Sequence, residues 1–348
     1  MKWGSIATAR RKAVYWSHSS RNSFAPRQKM RLAIQTFGPE READLAGSPK
    51  MPYVRTRPDS IRVAPVRIAC AAVILACTAT QAYSEGERLL GTGGVMEIEG
   101  SGGGGLTPWA LISGLGTDRE LGASAFCTYL KPEYFSLSSC GVAAGAYDRI
   151  ELSYARERFT LGDVAPGQSI NENVFGAKVR LFGDAVFDQD RWWPQVAAGV
   201  QYKQNEDFDS IPRLIGARHD DGTDFYLAAT KVFLSGPFGR TWLLDATLRE
   251  TRANQFGILG FGGDRSDSDH LEAEGSAALF LTDRLIAGAE YREKPDNLSA
   301  FREDNAYDGF IAFFPVKQLS LTVAYVDLGT IASHSNEQAW YLSIQATY

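Results

Sequence analysis

The sequence predicts an all-β fold: a transmembrane, up-and-down antiparallel β-barrel of 14 strands, with 12 as the alternative count. Three observations predict it. After residue 83 the apolar residues recur with a period of two. The connections alternate between short and long, and aromatic residues gather at strand ends in phase with the apolar faces. Of the 348 residues, 44% are hydrophobic and 22% charged. Mean hydropathy is -0.20, and no run reaches the ~20 apolar residues of a spanning helix, so a helical membrane protein is excluded. A barrel is not, because its alternating strands average out as polar.

Residues 1–50 are basic and aperiodic, and they read as an over-extended or disordered N-terminus ahead of Met51. Residues 51–82 read as a secretory signal peptide. Arg55, Arg57, Arg62 and Arg67 precede the apolar run Ile68 to Ala76, and Thr80-Gln81-Ala82 supplies a small-residue cleavage site. A surface helix is the bland alternative, and Cys77 is a rival site for lipidation. Cleavage after Ala82 leaves residues 83–348 as the barrel. Residues 1–82 carry 14 Lys+Arg against 4 acids, so the remainder holds 22 bases against 37 acids. An acidic body of this kind disfavours nucleic acid as a partner.

Strands are predicted near 90–99, 106–116, 120–130, 134–146, 150–160, 174–183, 192–204, 223–234, 240–253, 270–281, 285–294, 305–315, 318–328 and 338–348. In one of them Leu285, Ala287, Ala289 and Tyr291 share a face while Gly288, Glu290 and Arg292 share the other, a sorting that no helix produces. Short connections fall at 117–119, 147–149, 282–284 and 315–317. Long polar ones fall at 162–173, 205–222, 257–269, 295–305 and 329–337. Segregated loops are the mark of an outer-membrane barrel with short periplasmic turns. On that orientation an aromatic girdle forms from Tyr129, Tyr154, Tyr202, Tyr291, Tyr325 and Trp340, with Tyr226 and Tyr307 at the same level. Trp192, Trp242, Phe313 and Tyr348 mark the opposite end.

Two places strain this scheme. Gly91 to Val95 and Ser101 to Gly105 are so glycine-rich that the first strand could fold into the lumen, leaving 12 wall strands. Arg156 is in phase with the lipid face. It must lie above the membrane or mark a bulge. Cys127 and Cys140 could face each other across a hairpin and pair, or serve as two small apolar residues.

The C-terminal face of Trp340, Leu342, Ile344, Ala346 and Tyr348 resembles the signal read by the outer-membrane barrel assembly machinery. That machinery and outer-membrane lipid are the expected partners. The stretches Gly93 to Gly100, Gly105 to Ile112, Gly222 to Tyr226, Ala253 to Asp264, Lys294 to Leu298 and Ala324 to Gly329 resemble an uncharacterised proteobacterial family, domain of unknown function 3034. The resemblance spans roughly residues 88–348. It implies an exported, β-rich protein and brings no catalytic residues with it. Lys294 to Asn297 and Tyr325 to Gly329 are also similar to stretches of barrels linked to exopolysaccharide export.

The predicted lumen lining is Glu151, Lys178, Arg180, Gln201, Lys203, Lys231, Asp245, Arg249, Glu272, Glu274, Glu290 and Arg292. Mixed charges among small residues (Gly176, Gly199, Ser276, Gly288, Ser320) read as a polar conduit, porin-like or export-associated. The competing reading is a closed barrel whose outer loops bind a partner or surface polysaccharide. A membrane hydrolase is a remote third, resting on His334-Ser335-Asn336 alone. Gly260 to Asp269 has the flavour of a calcium loop but lacks a closing Glu. No residue pattern asks for a cofactor, and the chain reads as a non-enzyme of the bacterial outer membrane.

Overall fold

The computed structural model describes residues 91, 95–162, 164–331, 334 and 337–348. The expected N-terminal segment 1–50, the signal peptide 51–82 and Cys77 lie outside them.

Twelve antiparallel strands close into one barrel. In chain order they follow two short inner strands, β1 (Val95–Met96) and β2 (Gly102–Gly103). The wall runs β3 (Leu121–Lys131), β4 (Ser136–Ala146), β5 (Ile150–Thr160), β6 (Ser169–Phe182), β7 (Gln195–Asn205), β8 (Asp221–Phe233), β9 (Trp242–Thr251), β10 (His270–Thr282), β11 (Leu285–Arg292), β12 (Ala306–Val316), β13 (Leu319–Asp327) and β14 (Gln338–Thr347). Each strand pairs with its sequence neighbours. β14 closes the ring on β3, with Trp340 opposite Lys131 and Thr347 opposite Ser124. No open edge remains in the wall, which removes the hazard of an unpaired apolar C-terminal strand.

Alternation explains the wall. In β12, Ala306, Asp308, Phe310, Ala312 and Phe314 are buried while Tyr307, Ile311 and Phe313 are exposed. The exposed set across the barrel is apolar (Leu152, Phe175, Leu227, Leu248, Val323 and Leu342 among others), and the buried set includes Glu151, Lys178, Lys203 and Arg249. Apolar outside and charged inside inverts the order of a water-soluble barrel and matches a wall facing hydrocarbon. Above Tyr154 and Phe175 the outer face turns polar. Arg156 there pairs with Glu206 and donates to Asn173, which places it beyond the apolar band.

The wall has the smaller of the two expected strand counts. The predicted strands at 90–99 and 106–116 are not part of it, because every residue from Val95 to Leu115 is buried. A wall strand keeps one face outside, whereas this segment has none. The long connections 161–168, 206–220, 252–269, 293–305 and 328–337 share one mouth. Turns 147–149, 283–284 and 317–318 share the other, together with the longer connections 183–194 and 234–241. Cys127 and Cys140 stand directly opposite each other on β3 and β4 and form a disulfide, with Cα atoms 4.1 Å apart. The bond lies on the outward face, in phase with Tyr129 and Val142.

Candidate functional site: a plugged lumen

A barrel of twelve strands is wider than its own inward side chains can fill. Here the space is taken by residues 95–115. Gly91 rests against Phe280 and Ile286, beside the β10–β11 turn. The segment rises to a tight turn at Glu97–Ser101, where Glu97 N donates to Ser101 O and Gly100 takes a positive φ of 94°. It returns through β2 and leaves at Leu115, whose N–H donates to Tyr348 O. Both described ends of the plug therefore lie at the short-turn mouth.

Wall side chains hold the plug by its backbone. The Glu290 carboxylate accepts from Gly105 N at 2.6 Å, Leu106 N at 2.8 Å, Thr107 Oγ1 at 3.0 Å and Ser276 Oγ at 2.8 Å. The Glu151 carboxylate accepts from Gly102 N at 3.0 Å and Ser113 N at 2.7 Å, and Lys178 stands 3.2 Å away. Lys178 also donates to Gly102 O and Trp109 O. Thr230, Gln195 and Thr247 engage Ala110 N, Ala110 O and Pro108 O. The glycine run is what lets the carboxylates approach: a Cβ on Gly104 would stand 1.6 Å from Glu290 Oε1. Charge-assisted bonds of this kind contribute about 1.5–3 kcal/mol each.

The turn carries the charge that decides the site. Three wall cations, Lys203, Arg249 and Arg292, meet four carboxylates, Glu97 and Glu99 of the plug and Asp224 and Glu274 of the wall. Arg292 reaches Glu99 at 3.0 Å and Glu97 at 3.3 Å, Arg249 reaches Glu97 at 3.2 Å and Glu274 at 2.5 Å, and Lys203 bridges Glu99 and Asp224. Burial, reinforced by the Glu99 charge, pushes the Glu97 carboxyl well above the usual range. Burial acts on Glu99 too, but Arg292, Lys203 and Arg249 outweigh it and hold Glu99 far below that range.

A cap closes the long-loop mouth over the same cations. The turn Asn254–Gly257 lays the Phe256 ring 4.4 Å from the Arg292 guanidinium and offers Phe256 O to Lys203 at 3.0 Å. Gln255 and Phe256 both take positive φ, an outlier held by Lys294, which donates to Gln255 Oε1 and to Leu328 O. Neighbouring loops brace the cap through Arg265–Asp296, His219–Asp267 and Asp264–Ser299 contacts.

Of the predicted lining, Glu151, Lys178, Gln201, Lys203, Asp245, Arg249, Glu274, Glu290 and Arg292 face inward, and all touch the plug or the groups that hold it. Arg180 faces inward at the short-turn rim and pairs with Asp148 and Asp184. Glu272 is in phase with Glu274 but only half-buried, near the long-loop rim. Lys231 is a correction. Thr230 and Asp245 point inward, so Lys231 shares the outward face with Leu244, and it is buried by the connection 183–194, where it donates to Asp188 O. The small inward residues do not leave open space either. A Cβ on Gly199 would stand 2.2 Å from the Tyr226 ring, and one on Gly288 2.5 Å from Phe310.

The girdle tyrosines Tyr129, Tyr202, Tyr291 and Tyr325 are exposed, and Tyr154 is partly so. Trp340 packs edge-on to Tyr325, and Tyr348 is exposed at the opposite end. The hydroxyls reach rim polar groups: Tyr154 to Asn173, Tyr202 to Asp221, Tyr291 to Glu293 and Tyr325 to Gln338. Tyr226 turns inward instead, bonding Ser101 and lying 5.2 Å from Arg249. His334 packs against the rings of Tyr134 and Phe135, and Ser335 and Asn336 lie outside the described residues. Among the described residues no group of three potential ligands is placed to hold a metal. Glu97, Glu99, Asp224 and Phe256 were not among the predicted lining. The glycine run beside two alternating glutamates was the available signal for the first pair.

The family model of a protein of unknown function, DUF3034, matches residues 92–345. The chain belongs to the DUF3034 family. No curated protein matches it. Solved structures similar to this DUF3034 barrel include the KdgM porin, at 8% identity and a TM-score of 0.42 over 65% of this chain and 99% of that one. The NanC porin follows at 11% identity and 0.40, over 65% of this chain and 98% of that one. The COG4313 outer membrane channel from Pseudomonas putida F1 gives 11% and 0.36, over 66% and 95%.

Proposed function

We propose that the protein resides in the bacterial outer membrane after signal-peptide cleavage and is a gated conduit, closed at rest by its own N-terminal segment. The observation that carries this is the plug itself. A separate chain segment fills the lumen, both described ends lie at one mouth, and it is held by ionic, hydrogen-bonded and apolar side-chain contacts rather than by pairing into the wall. Such a segment can withdraw without breaking the wall. The apolar outer band and the tyrosine girdle support the membrane location.

The test is planar-bilayer conductance of the intact mature chain against a form lacking residues 91–113, with heat-modifiability as the check on folding. The intact barrel should be closed most of the time and the shortened one steadily conducting. A shortened barrel that folds, inserts and passes no current would refute the gate. The second reading, a permanently closed barrel that binds through its outer loops, draws on the braced cap, and that same outcome would favour it.

A further inference from the structure

We propose that the closed state holds protons on Glu157 and Glu172, so that the gate responds to pH and opens as pH rises. This rests on the plug being a gate. The two residues face each other directly across β5 and β6, both pointing inward, at 1% and 0% exposure. None of their four carboxylate oxygens has a hydrogen-bond partner among the described residues. The cap closes over them: a Cβ on Gly257 would stand 2.0 Å from Glu172 Oε1.

The charged groups that face the pair are Glu99 from the plug tip, Lys203 from β7, Asp224 from β8 and Arg292 from β11. The cations among them are already committed. Lys203 bridges Glu99 and Asp224, and Arg292 holds Glu97, Glu99 and Glu274. Two ionised carboxylates placed side by side here would be buried without a donor or an uncommitted cation among the described residues, and such groups neutralise instead. Outside the wall at the same height stand Arg156 and Asn173, so the pair lies at the outer mouth, beyond the apolar band. When plug tip and cap part, water reaches both carboxylates and they ionise.

The sign follows from linkage. The closed state binds more protons than the open one, so low pH favours closure and the open-to-closed ratio climbs as pH rises. Each proton released contributes up to about tenfold per pH unit, and two contribute up to about a hundredfold.

The experiment compares the intact mature chain with E157Q, E172Q and the double variant in planar bilayers, from mildly acidic to mildly alkaline pH. Glutamine keeps the shape of a protonated glutamate. The intact barrel should open steeply as pH rises. Each single variant should lose about tenfold per pH unit of the intact barrel's response, and the double variant about a hundredfold. Infrared difference spectra give a readout that does not depend on current: the closed intact barrel should show the carbonyl stretch of protonated carboxylic acids, diminished in the double variant. A pH-independent intact barrel, or no loss of that band, would overturn the proposal while leaving the gate standing if the form lacking residues 91–113 conducts. A shortened form that folds but stays silent removes the gate, and this proposal with it.

Discussion

Glu290→Ala tests the plug's anchorage most directly. The carboxylate accepts from two consecutive plug amides, Gly105 N and Leu106 N, and from the Thr107 hydroxyl, at 2.6, 2.8 and 3.0 Å. Ser276 keeps its contact with Thr107 at 2.5 Å in the variant, but the two amides lose their acceptor in a buried place. A buried unsatisfied donor costs about 1–3 kcal/mol, so docking should weaken by about 2–6 kcal/mol. At 1.4 kcal/mol per factor of ten, the closed-to-open ratio falls by about 30-fold to about 10⁴-fold. The low end is the better guide, because removing Glu290 also relieves the burial of its own charge. Single-channel recording of the intact mature chain reads the open fraction directly. Glu272→Ala is the control, since that side chain sits half-buried near the rim. An inserted, heat-modifiable Glu290→Ala barrel that stays as closed as the parent would refute the idea that these contacts hold the plug.

Glu274→Lys places a cation against Arg249 and Arg292, at whose guanidinium nitrogens Glu274 now sits 2.5 and 3.3 Å away. Breaking a buried pair costs about 3–5 kcal/mol, so conductance should rise sharply, whereas Glu272→Lys should alter ion preference only in the opened barrel. Deleting Trp340 to Tyr348 removes most of the strand that joins β13 to β3, and outer-membrane levels should collapse. Normal levels on immunoblots of membrane fractions would contradict that. Replacing Cys127 and Cys140 by Ser frees a loop with a sequence separation of 13. The loss is about 3 kcal/mol in the chain-entropy account, and it should appear as a lower temperature for the heat-modifiability shift. An unchanged shift temperature would show that the ring of wall hydrogen bonds already fixes the hairpin.

The wall was legible because its physics is local. Leu285 to Tyr291 alternate whatever lies inside the barrel, and the register that results puts Glu290 inward and Tyr291 outward. The plug was legible only as a weakness, because Val95, Glu97 and Glu99 alternate like a wall strand. Whether such a segment shows one face to lipid or none depends on the width of the closed lumen, a property of all twelve strands together. Lys231 shows another limit. Its charge suggested the lumen, yet phase with Leu244 turns it outward, and the connection 183–194 that covers it carries no signal of where it will fold. The cap was hidden for the same reason, since Gln255 and Phe256 adopt conformations that the sequence gives no cause to expect.

The arrangement of charge argues that closure is conditional rather than permanent. Most of the plug already packs as hydrocarbon, through Val95, Ile98, Leu106, Trp109 and Leu111, and an apolar tip would complete it with less risk, because a buried ion network adds little net stability over well-packed hydrocarbon. This chain instead places Glu97 and Glu99 at the tip of a segment whose described ends share one mouth. It then sets the cap on the same cations, with Phe256 O on Lys203 and the Phe256 ring over Arg292. Plug and cap are therefore partners of the same two side chains. Moving either one leaves Lys203 and Arg292 short of a contact that the other cannot replace. Displacement of the cap from outside should loosen the plug, and withdrawal of the plug should loosen the cap, by the same coupling free energy in both directions.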